Sequence, residues 1–391
     1  MKELKNIKNQ KVIVRCDFNV PIKKGKVGED FKIKAVLPTI KLLLKNKNKL
    51  ILVSHLGRPK GQRVKKLSLE PVLKNLKKQL RTRKIEFIRA EIDKNLENKV
   101  DLRFKKADIV LLENIRYDQR ENKNQKNLAR FLAKTAEVFV NEAFALSHRQ
   151  TSSSVAICQY LPSYLGLRFQ KEIDFLSQIL NSAKPSCALI GGAKVRSKFQ
   201  AVNRFLKIYS KVMLGGGVAN TFLVAKGYKI GDSLFEPEYL RRAKRLIKSK
   251  RVILPIDVLV TDRKKENVKV VKIKKDKNIC QKKEQILDIG PATVKKYSGL
   301  VKKAKTIVWS GPMGLLEDPR FSHGTIALAR IIGARGSGKA LAVAGGGETV
   351  LAIKKSHMSR YYDFISTGGG AMLEFLQGKP LPGYKAVKYK K

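Results

Sequence analysis

The stretch CALIGGAK, residues 187–194, is an apolar run that ends directly in a glycine pair and a lysine. Short apolar runs of this kind recur along the chain and alternate with amphipathic stretches, a pattern typical of βα units around a parallel sheet. The predicted strands begin near residues 12, 50, 108 and 138 in the first half, and near 187, 212, 251, 306, 341 and 363 in the second. We therefore predict an α/β protein with two doubly wound, Rossmann-like parallel sheets.

The chain length also favours two domains, because 391 residues exceed the size at which a single hydrophobic core usually stops growing. The segment KEIDFLSQILNSAKP begins at Lys171, where the first set of strands ends, and places Ile173, Leu176 and Ile179 on one face of a helix. We interpret residues 171–183 as an interdomain helix. The two domains are expected to face each other across a cleft.

The charge of the chain is strongly positive, since 83 Lys and Arg residues stand against 32 Asp and Glu residues, a net charge of +51. A charge of this size attracts polyanions, so nucleic acid is a candidate partner. The lysines are spread over the whole chain, however, and no zinc-finger or RNA-module signature accompanies them. A general compositional bias is the favoured interpretation, with at most weak, non-specific binding of nucleic acid.

The cysteines and the hydropathy pattern indicate a cytoplasmic protein. The four cysteines are far apart and form no C-x-x-C pair, which argues against a zinc cluster and against a disulfide framework. No run approaches the roughly 18 apolar residues that a membrane span needs. We therefore expect no membrane partner.

Basic residues follow the predicted strands of the first half, in the motifs RCDFN, SHLGRP and ENIR, and in HR after VFVN. Because ligands bind at the carboxyl ends of parallel strands, these side chains are expected at one sheet edge. They are Arg15, His55, Arg58, Arg116, His148 and Arg149. Arginine binds phosphate and carboxylate through paired hydrogen bonds, so the edge is predicted to bind a small ligand with several negative charges.

Glycine-rich turns follow the predicted strands of the second half. They are Gly191–Lys194, Gly215–Gly217, Ser310–Pro312, Gly345–Glu348 and Thr367–Gly370. One such turn is weak evidence, because tight strand-to-helix turns need glycine anyway. Five on one edge, with Lys194 and Lys198 beside the first, predict a site for nucleotide phosphates, since glycine lets backbone N–H groups approach phosphate closely.

These motifs together resemble the phosphoglycerate kinase family, from RCDFNVP near the start to STGGGAMLEFLQGKPLPG near the end. The landmarks between them are SHLGRP, LLENIRY, VNEAF, GGAKV, GGGVANTFL, DIGPAT, WSGPMG and GGGET. The resemblance implies a monomeric glycolytic enzyme that transfers a phosphoryl group reversibly between 1,3-bisphosphoglycerate and ADP, giving 3-phosphoglycerate and ATP, with Mg²⁺. It also implies that residues 1–170 bind phosphoglycerate, that residues 184–377 bind the nucleotide, and that a tail of about 378–391 packs back on the first domain.

The resemblance also implies the roles of individual residues. Phosphoglycerate would be bound by Arg15, Asp17, Asn19, Lys32, His55, Arg58, Arg116 and Arg149. The nucleotide would be bound by Lys194, Lys198, Gly215, Gly216, Gly217, Glu317, Gly345, Gly346, Gly347, Glu348 and Thr349. Arg15, Lys32 and Lys194 would be catalytic, with Lys194 at the transferring group. Lys198 would meet the nucleotide phosphates, Glu317 the ribose and Glu348 the metal.

Several positions depart from the family pattern. Lys32 stands where the family has an arginine, and Glu348 stands where it has an aspartate. Smaller departures are Glu142, Thr151, Ser197 and Ser310. A lysine keeps the charge but lacks the planar fork of arginine. We therefore expect charge neutralisation in the transition state to be weaker than in the family. The alternative function is a weakly active or inactive relative that binds polyanions through its basic surface.

Structural roles are alternatives for four of the site residues. Asp17 and Asn19 could simply cap and orient the turn that follows the first strand, as such residues often do. His55 could be a hydrogen-bonding residue of the fold, and Glu317 would elsewhere be an ordinary surface acid.

Overall fold

The computed structural model describes residues 3–82, 84–274 and 277–388. The chain divides into two compact units. The first unit contains the chain up to Ile173 together with the segment from Pro380, and the second unit contains Asp174–Lys379. The boundary falls inside a helix, Leu167–Leu180, which begins and ends a few residues before the interdomain helix predicted at 171–183.

The first unit is built on a parallel sheet. Its strands are β1 (Lys11–Arg15), β2 (Ile22–Lys23), β3 (Lys26–Val27), β4 (Lys49–Val53), β5 (Ile85–Ile88), β6 (Ile109–Leu112), β7 (Val138–Asn141) and β8 (Ser163–Leu165). Within the described residues, six of them pair in the order β5-β6-β4-β1-β7-β8, all parallel. The short strands β2 and β3 form a separate antiparallel hairpin.

Helices cover both faces of this sheet. They are α1 (Phe31–Lys45), α2 (Glu70–Leu80), α3 (Leu96–Phe104), α4 (Gln119–Asn122), α5 (Lys126–Lys134) and α6 (Leu167–Leu180), with a further helix at Pro382–Lys388. Successive side chains of a strand point to opposite faces, so Val12 and Val14 enter one buried core and Ile13 enters the other. A strand that is buried on both faces needs a continuous apolar run, which is why the sequence of β1 reads VIV.

The second unit contains a second parallel sheet. Its strands are β9 (Ser186–Ile190), β10 (Lys211–Leu214), β11 (Lys229–Ile230), β12 (Val252–Ile253), β13 (Asp257–Asp262), β14 (Lys269–Lys272), β15 (Asn278–Cys280), β16 (Glu284–Ile289), β17 (Thr306–Ser310), β18 (Leu341–Gly345) and β19 (Phe364–Ser366). In the part of this unit that the structure describes, the parallel sheet has the order β12-β10-β9-β17-β18-β19. The two doubly wound sheets predicted from the sequence are thus confirmed.

The second unit also contains antiparallel structure that the sequence patterns did not predict. Strands β14, β13 and β16 form a small antiparallel sheet in that order, whereas β11 and β15 form a separate parallel pair. The helices of this unit are α7 (Val195–Ile208), α8 (Gly216–Ala225), α9 (Leu240–Leu246), α10 (Pro291–Lys303), α11 (His323–Gly336), α12 (Gly347–Lys355) and α13 (Gly369–Leu376). The helices α7, α8, α12 and α13 begin directly after strand ends, where the glycine turns lie.

Candidate active site

The carboxyl-terminal edge of the first sheet carries the predicted basic residues, and Arg15 is the most deeply placed of them. Its side chain is only 1 % exposed. Its Nε donates to Ser153 Oγ at 2.6 Å, and a terminal nitrogen donates to the Cys16 carbonyl at 2.7 Å. The other terminal nitrogen lies 3.5 Å from Glu121 Oε1. The protein itself therefore holds the Arg15 guanidinium in place.

Lys32 reaches the same edge from the first turn of α1. Its Nζ lies 2.7 Å from Asp17 Oδ2, and about a quarter of its side chain is exposed. Asp17 Oδ1 also accepts from the Asn19 N–H at 3.2 Å, and Asn19 Oδ1 accepts from the Gly57 N–H at 3.0 Å. Asp17 and Asn19 thus do order the loops at this edge, and Asp17 additionally aims the Lys32 ammonium.

His55 lies buried among these cations. Burial is the largest cause that holds its imidazole pKa well below the usual value, followed by the positive charges of Arg15, Arg116, Lys32 and Arg149. Its Nδ1 has no hydrogen-bond partner within the described residues. Burial and the surrounding positive charges thus both favour the neutral form of the His55 imidazole.

The pKa of Arg116 is lowered by the same surroundings. Burial, and then the neighbouring Arg15 and Arg149, lower its pKa from 12.5 to about 10. One of its nitrogens donates to the Gly57 carbonyl at 2.7 Å. Arg58 and Arg149 are exposed. A cluster of cations that repel one another at a strand edge is a strong attractor for a small polyanion.

The glycine turns of the second unit allow a close approach of two strand ends. Gly311 has a φ of +95°, and a Cβ at that position would lie 2.1 Å from the Gly191 carbonyl oxygen. Gly191 is equally restricted, because its Cβ would lie 2.0 Å from the Pro312 carbonyl oxygen. The ends of β9 and β17 therefore require glycine on both sides. The turn that follows β9 leads directly into α7.

Gly311→Ala tests this close approach. We expect it to destabilise the second unit by about 2–5 kcal/mol, because a left-handed residue and a backbone clash are both introduced. Gly338→Ala is the control, since Gly338 has a φ of +78° but no atom within 4 Å of its Cβ; we expect it to cost about 1–2 kcal/mol. Urea unfolding followed by Trp309 fluorescence measures both, because Trp309 Nε1 donates to the Gly311 carbonyl at 2.8 Å. Equal losses of unfolding free energy in the two variants would contradict the predicted clash at Gly311.

A cavity of about 640 Å³ lies at these turns. Its lining includes Gly192, Lys194, Lys198, Gly311, Gly346, Gly347, Glu348, Thr349, Gly369 and Gly370. Lys194 stands at the N-cap of α7, and Gly346, with a φ of +109°, stands at the N-cap of α12. Two helix N-termini and two lysines at one cavity are suited to phosphate groups. Thr349 contributes to the framework, because its Oγ1 accepts from the Gly311 N–H at 2.7 Å.

A second cavity of about 230 Å³ shares Gly192 and Glu348 with the first. Its walls are mainly apolar, which suits a flat aromatic base. They include Gly216, Gly217, Leu234, Pro255, Val258, Leu287 and Met313. The sequence motifs predicted the two glycines, but they gave no signal for Leu234 or Pro255. Glu317 lines this cavity and is exposed.

Asp288 is a buried acid of the second cavity that opens the DIGPAT motif, but no role was predicted for it from the sequence. Burial raises its pKa from 3.8 to about 7, against hydrogen bonds from the Gly324 and Ile289 N–H groups. Gly314 and Gly324 both lie so close to its carboxyl group that a Cβ on either would clash with it. Asp288 therefore fixes the loop that carries Met313 and Glu317.

Lys198 is the most perturbed cation of the larger cavity. Burial lowers its pKa to about 8, with Lys194 acting in the same direction and Glu348 opposing it. Its Nζ donates to Ser310 Oγ at 2.5 Å. In the free protein, the neutral amine therefore becomes the major form as the pH rises above 8.

Nucleotide binding should consequently take up a proton at Lys198. Phosphate oxygens favour the ammonium, so we expect an uptake of about half a proton near pH 8 and almost none near pH 6.5. Affinity should fall as the pH rises through 8. Calorimetry of Mg·ATP binding in buffers of different ionisation enthalpy measures the uptake. Lys198→Arg should abolish it, because arginine stays protonated; an unchanged uptake in that variant would assign the proton elsewhere.

The two sites define a class of protein, a kinase that acts on a small acid with a nucleotide. The phosphoglycerate kinase family model matches residues 1–379, and the chain belongs to this family. A phosphoglycerate kinase of Borreliella afzelii is 42 % identical over 396 residues, covering 99 % of this chain and 98 % of that protein. The sequence-based recognition of the family, and of a phosphotransferase with a carboxyl group as acceptor, is confirmed.

Solved structures give the same result for the fold. Phosphoglycerate kinase from Coxiella burnetii superposes with a TM-score of 0.82 at 36 % identity, covering 98 % of this chain and 97 % of that one. The enzyme from Pyrococcus horikoshii superposes with a TM-score of 0.85 at 30 % identity and the same coverage. Among the described helices, none is both long and apolar enough to cross a membrane.

The four smaller departures from the family pattern are accommodated by local contacts. Glu142 Oε1 accepts from Thr39 Oγ1 and the Arg168 N–H, and Oε2 accepts from the Phe169 N–H at the start of α6; burial raises the pKa of Glu142 to about 7. Ser310 accepts from Lys198. The remaining contacts are Thr151 Oγ1 to Ser154 Oγ at 2.7 Å, and Ser197 Oγ to the Lys194 carbonyl at 3.0 Å.

Proposed function

We propose that the first unit binds 3-phosphoglycerate or 1,3-bisphosphoglycerate at the basic sheet edge, and that the second unit binds the adenine nucleotide in the two connected cavities. The observation that carries this proposal is the cluster of cations around His55, in which Arg15, Arg116, Lys32 and Arg149 lie close enough to act, after burial, in lowering the pKa of its imidazole. A ligand with several negative charges neutralises this cluster. A kinase that transfers a phosphoryl group to such an acid needs charge neutralisation of this kind.

The predicted basic residues of both units have the following roles in this scheme. Arg58, Arg116 and Arg149 bind the acid, while Arg15 fixes the floor of the site from below. Lys32, aimed by Asp17, neutralises charge on the transferring group. On the second unit, Lys194 meets the same group at the start of α7, and Lys198 binds the nucleotide phosphates. Transfer requires that substrate binding bring the two reacting groups into contact.

Mg²⁺ fits the larger cavity. Magnesium commonly takes one or two carboxylates and completes its shell with substrate phosphates and water. Glu348 supplies one carboxylate, near Gly192 and at the N-terminus of α12. No cluster of three or more acidic, His or Cys ligands occurs in the described residues, so the phosphates would supply the rest. When bound, the metal offsets the negative charge of the nucleotide phosphates; Glu348 would hold it.

Glu348→Gln tests the metal site. We expect the variant to need about 10–100-fold more Mg²⁺ for half-maximal activity, because the amide is a much weaker ligand than the carboxylate. Glu374→Gln is the control, since Glu374 lines the same cavity from α13. Activity measured against Mg²⁺ concentration at fixed ATP reports both. If the Mg²⁺ requirement rose more in the Glu374 variant than in the Glu348 variant, Glu348 would not be the metal ligand.

An active kinase is favoured over an inactive polyanion-binding relative, because the match to the phosphoglycerate kinase family covers all of the site motifs. We further propose a monomeric cytoplasmic enzyme. All four cysteines are buried thiols, which is the usual state in a reducing compartment. At most weak, salt-sensitive binding of nucleic acid is expected from the net charge.

A further inference from the structure

A groove on the second unit, outside the residues assigned to either substrate, is strongly basic. It has a volume of about 820 Å³ and lies between α7, α9 and the residues that follow α13. Its cations are Arg204, Lys207, Arg241, Arg242, Arg245 and Lys379. Its described lining contains no Asp or Glu. We call this surface the α7–α9 groove.

Five of these six cations form two rows, one on α7 and one on α9. On α7, Gln200, Arg204 and Lys207 recur at helical spacing on one face, while Phe205 and Val202 are buried on the other. On α9, positions 241, 242 and 245 share a face, and Ala243 is buried behind them. The six basic side chains are exposed. The two helices thus each contribute a row of basic side chains to one groove.

These charges are not neutralised by neighbours. In residues 3–82, 84–274 and 277–388, no ion pair involves any of the six. Glu236 and Glu238 precede α9 closely but pair with none of them. Arg241 and Arg245 are like charges four residues apart on a helix, a destabilising arrangement without an anion. The groove therefore carries an electrostatic cost that a bound anion would remove.

General composition does not account for the groove. The chain has 60 lysines and 23 arginines, which together make its 83 basic residues. The groove reverses this ratio, with four arginines and two lysines. Arginine is the residue whose planar fork matches phosphate oxygens with paired hydrogen bonds. The arginine-rich lining thus indicates a phosphate ligand and is not explained by the general positive charge of the chain.

The shape and the chemistry of the groove select among phosphate ligands. A single phosphate is far smaller than the groove, whereas a chain of linked phosphates could contact both rows. Single-stranded nucleic acid usually needs exposed aromatic rings for base stacking, but Phe199 and Tyr239, the rings beside these cations, are buried. In an extended acidic peptide, side chains on one face lie about 7 Å apart, which gives a sparser charge than linked phosphates do.

We propose that the α7–α9 groove binds inorganic polyphosphate. Gln200, Gln377 and Lys379 line both this groove and the 640 Å³ cavity, so the two surfaces are continuous. A bound chain therefore reaches the region of the nucleotide phosphates and competes with Mg·ATP. This second part rests on the proposed nucleotide site, whereas binding itself does not.

Direct binding tests the first part. Fluorescently labelled inorganic polyphosphate is titrated with the full chain near physiological salt, followed by anisotropy. Arg204→Gln/Arg241→Gln/Arg245→Gln should weaken binding by about 30-fold or more, because three charge-assisted contacts are lost. Lys295→Gln/Lys302→Gln/Lys303→Gln is the matched control, with the same net charge and exposed positions on α10 of the same unit; it should change binding by less than about threefold.

Three outcomes would overturn the proposal. They are equal losses in both triple variants, tighter binding of single-stranded RNA than of polyphosphate at equal charge, and inorganic monophosphate competing as well as the chain does. Replacing the same three arginines by lysine should restore only part of the affinity, because the charge returns without the fork. Circular dichroism of each variant verifies that the exposed substitutions leave the fold intact.

Steady-state kinetics tests the competition. Polyphosphate should raise the apparent KM for Mg·ATP in the parent enzyme and should do so much less in the groove variant, with KM unchanged when polyphosphate is absent. Binding without any change in KM would overturn the competition alone. If the chain lacked kinase activity, the anisotropy result would still decide whether the groove binds polyphosphate, so the two failures are distinguishable.

Discussion

Lys32→Ala is expected to lower kcat by about 10²–10³-fold, the usual loss when a preorganised transition-state donor is removed. The Lys32 ammonium is held 2.7 Å from Asp17 Oδ2 at the basic edge, so its position is set before substrate binds. The KM for nucleotide should stay nearly unchanged, because Lys32 lies on the first unit. Phosphoglycerate should still bind through Arg58, Arg116 and Arg149. Steady-state kinetics with each substrate varied in turn measures these quantities.

Two further variants make this prediction specific. Lys32→Arg should hold or raise kcat, since arginine retains the charge and adds the paired donors that the family uses. Lys34→Ala should have almost no effect, because Lys34 is an exposed residue of the same helix that pairs with Asp30. If Lys32→Ala retained the parental kcat, another cation would have the neutralising role, or a step such as product release would limit turnover.

Arg15→Ala is expected to destabilise the first unit by about 3 kcal/mol. The side chain is 1 % exposed, and its loss leaves Glu121, also 1 % exposed, as an uncompensated buried charge. Relief of the repulsion between Arg15 and Arg116 offsets part of the cost. Urea unfolding followed by circular dichroism measures the effect.

Arg149→Ala is the comparison for this variant. Arg149 is exposed, so its removal should weaken the binding of phosphoglycerate while the free energy of unfolding changes by less than about 0.5 kcal/mol. The pair separates an arginine that supports the site from one that contacts the ligand. An Arg15→Ala variant with parental stability and weak substrate binding would instead give Arg15 a direct ligand role.

The parallel sheets were predictable because their strands are continuous apolar runs. The strand Val138–Asn141 has the bounds that its sequence VFVN predicts, and Leu341–Gly345 differs by one residue from LAVA. Strands outside this pattern were missed. Ile85–Ile88 is an edge strand interrupted by a glutamate, and Lys269–Lys272 is mostly exposed, so neither forms a long apolar run. A half-exposed strand among lysines has too little periodicity to identify.

The position of the basic residues at one sheet edge was predictable, but the burial and the contacts of each side chain were not. Strand ends brought Arg15, His55, Arg116 and Arg149 together, as the topology requires. No sequence pattern indicates that Arg15 is buried, because its partner Ser153 lies 138 positions away. Asp288 belongs to the DIGPAT motif, but its structural role could not be predicted for the same reason. Its importance comes from burial and from two glycines that pack against its carboxyl group, which only the folded chain brings together.

The most direct test is turnover of the purified chain with 3-phosphoglycerate and Mg·ATP, with the 1,3-bisphosphoglycerate produced consumed by a coupled NADH-dependent reduction. We predict consumption of NADH that requires both substrates, with kcat in the ordinary enzyme range of about 1–10³ s⁻¹, and a rate at least about 100-fold lower in Lys32→Ala. A rate that does not depend on 3-phosphoglycerate would contradict the assignment of phosphoryl transfer to the basic edge of the first unit, and an equal rate in Lys32→Ala would contradict the role given to Lys32.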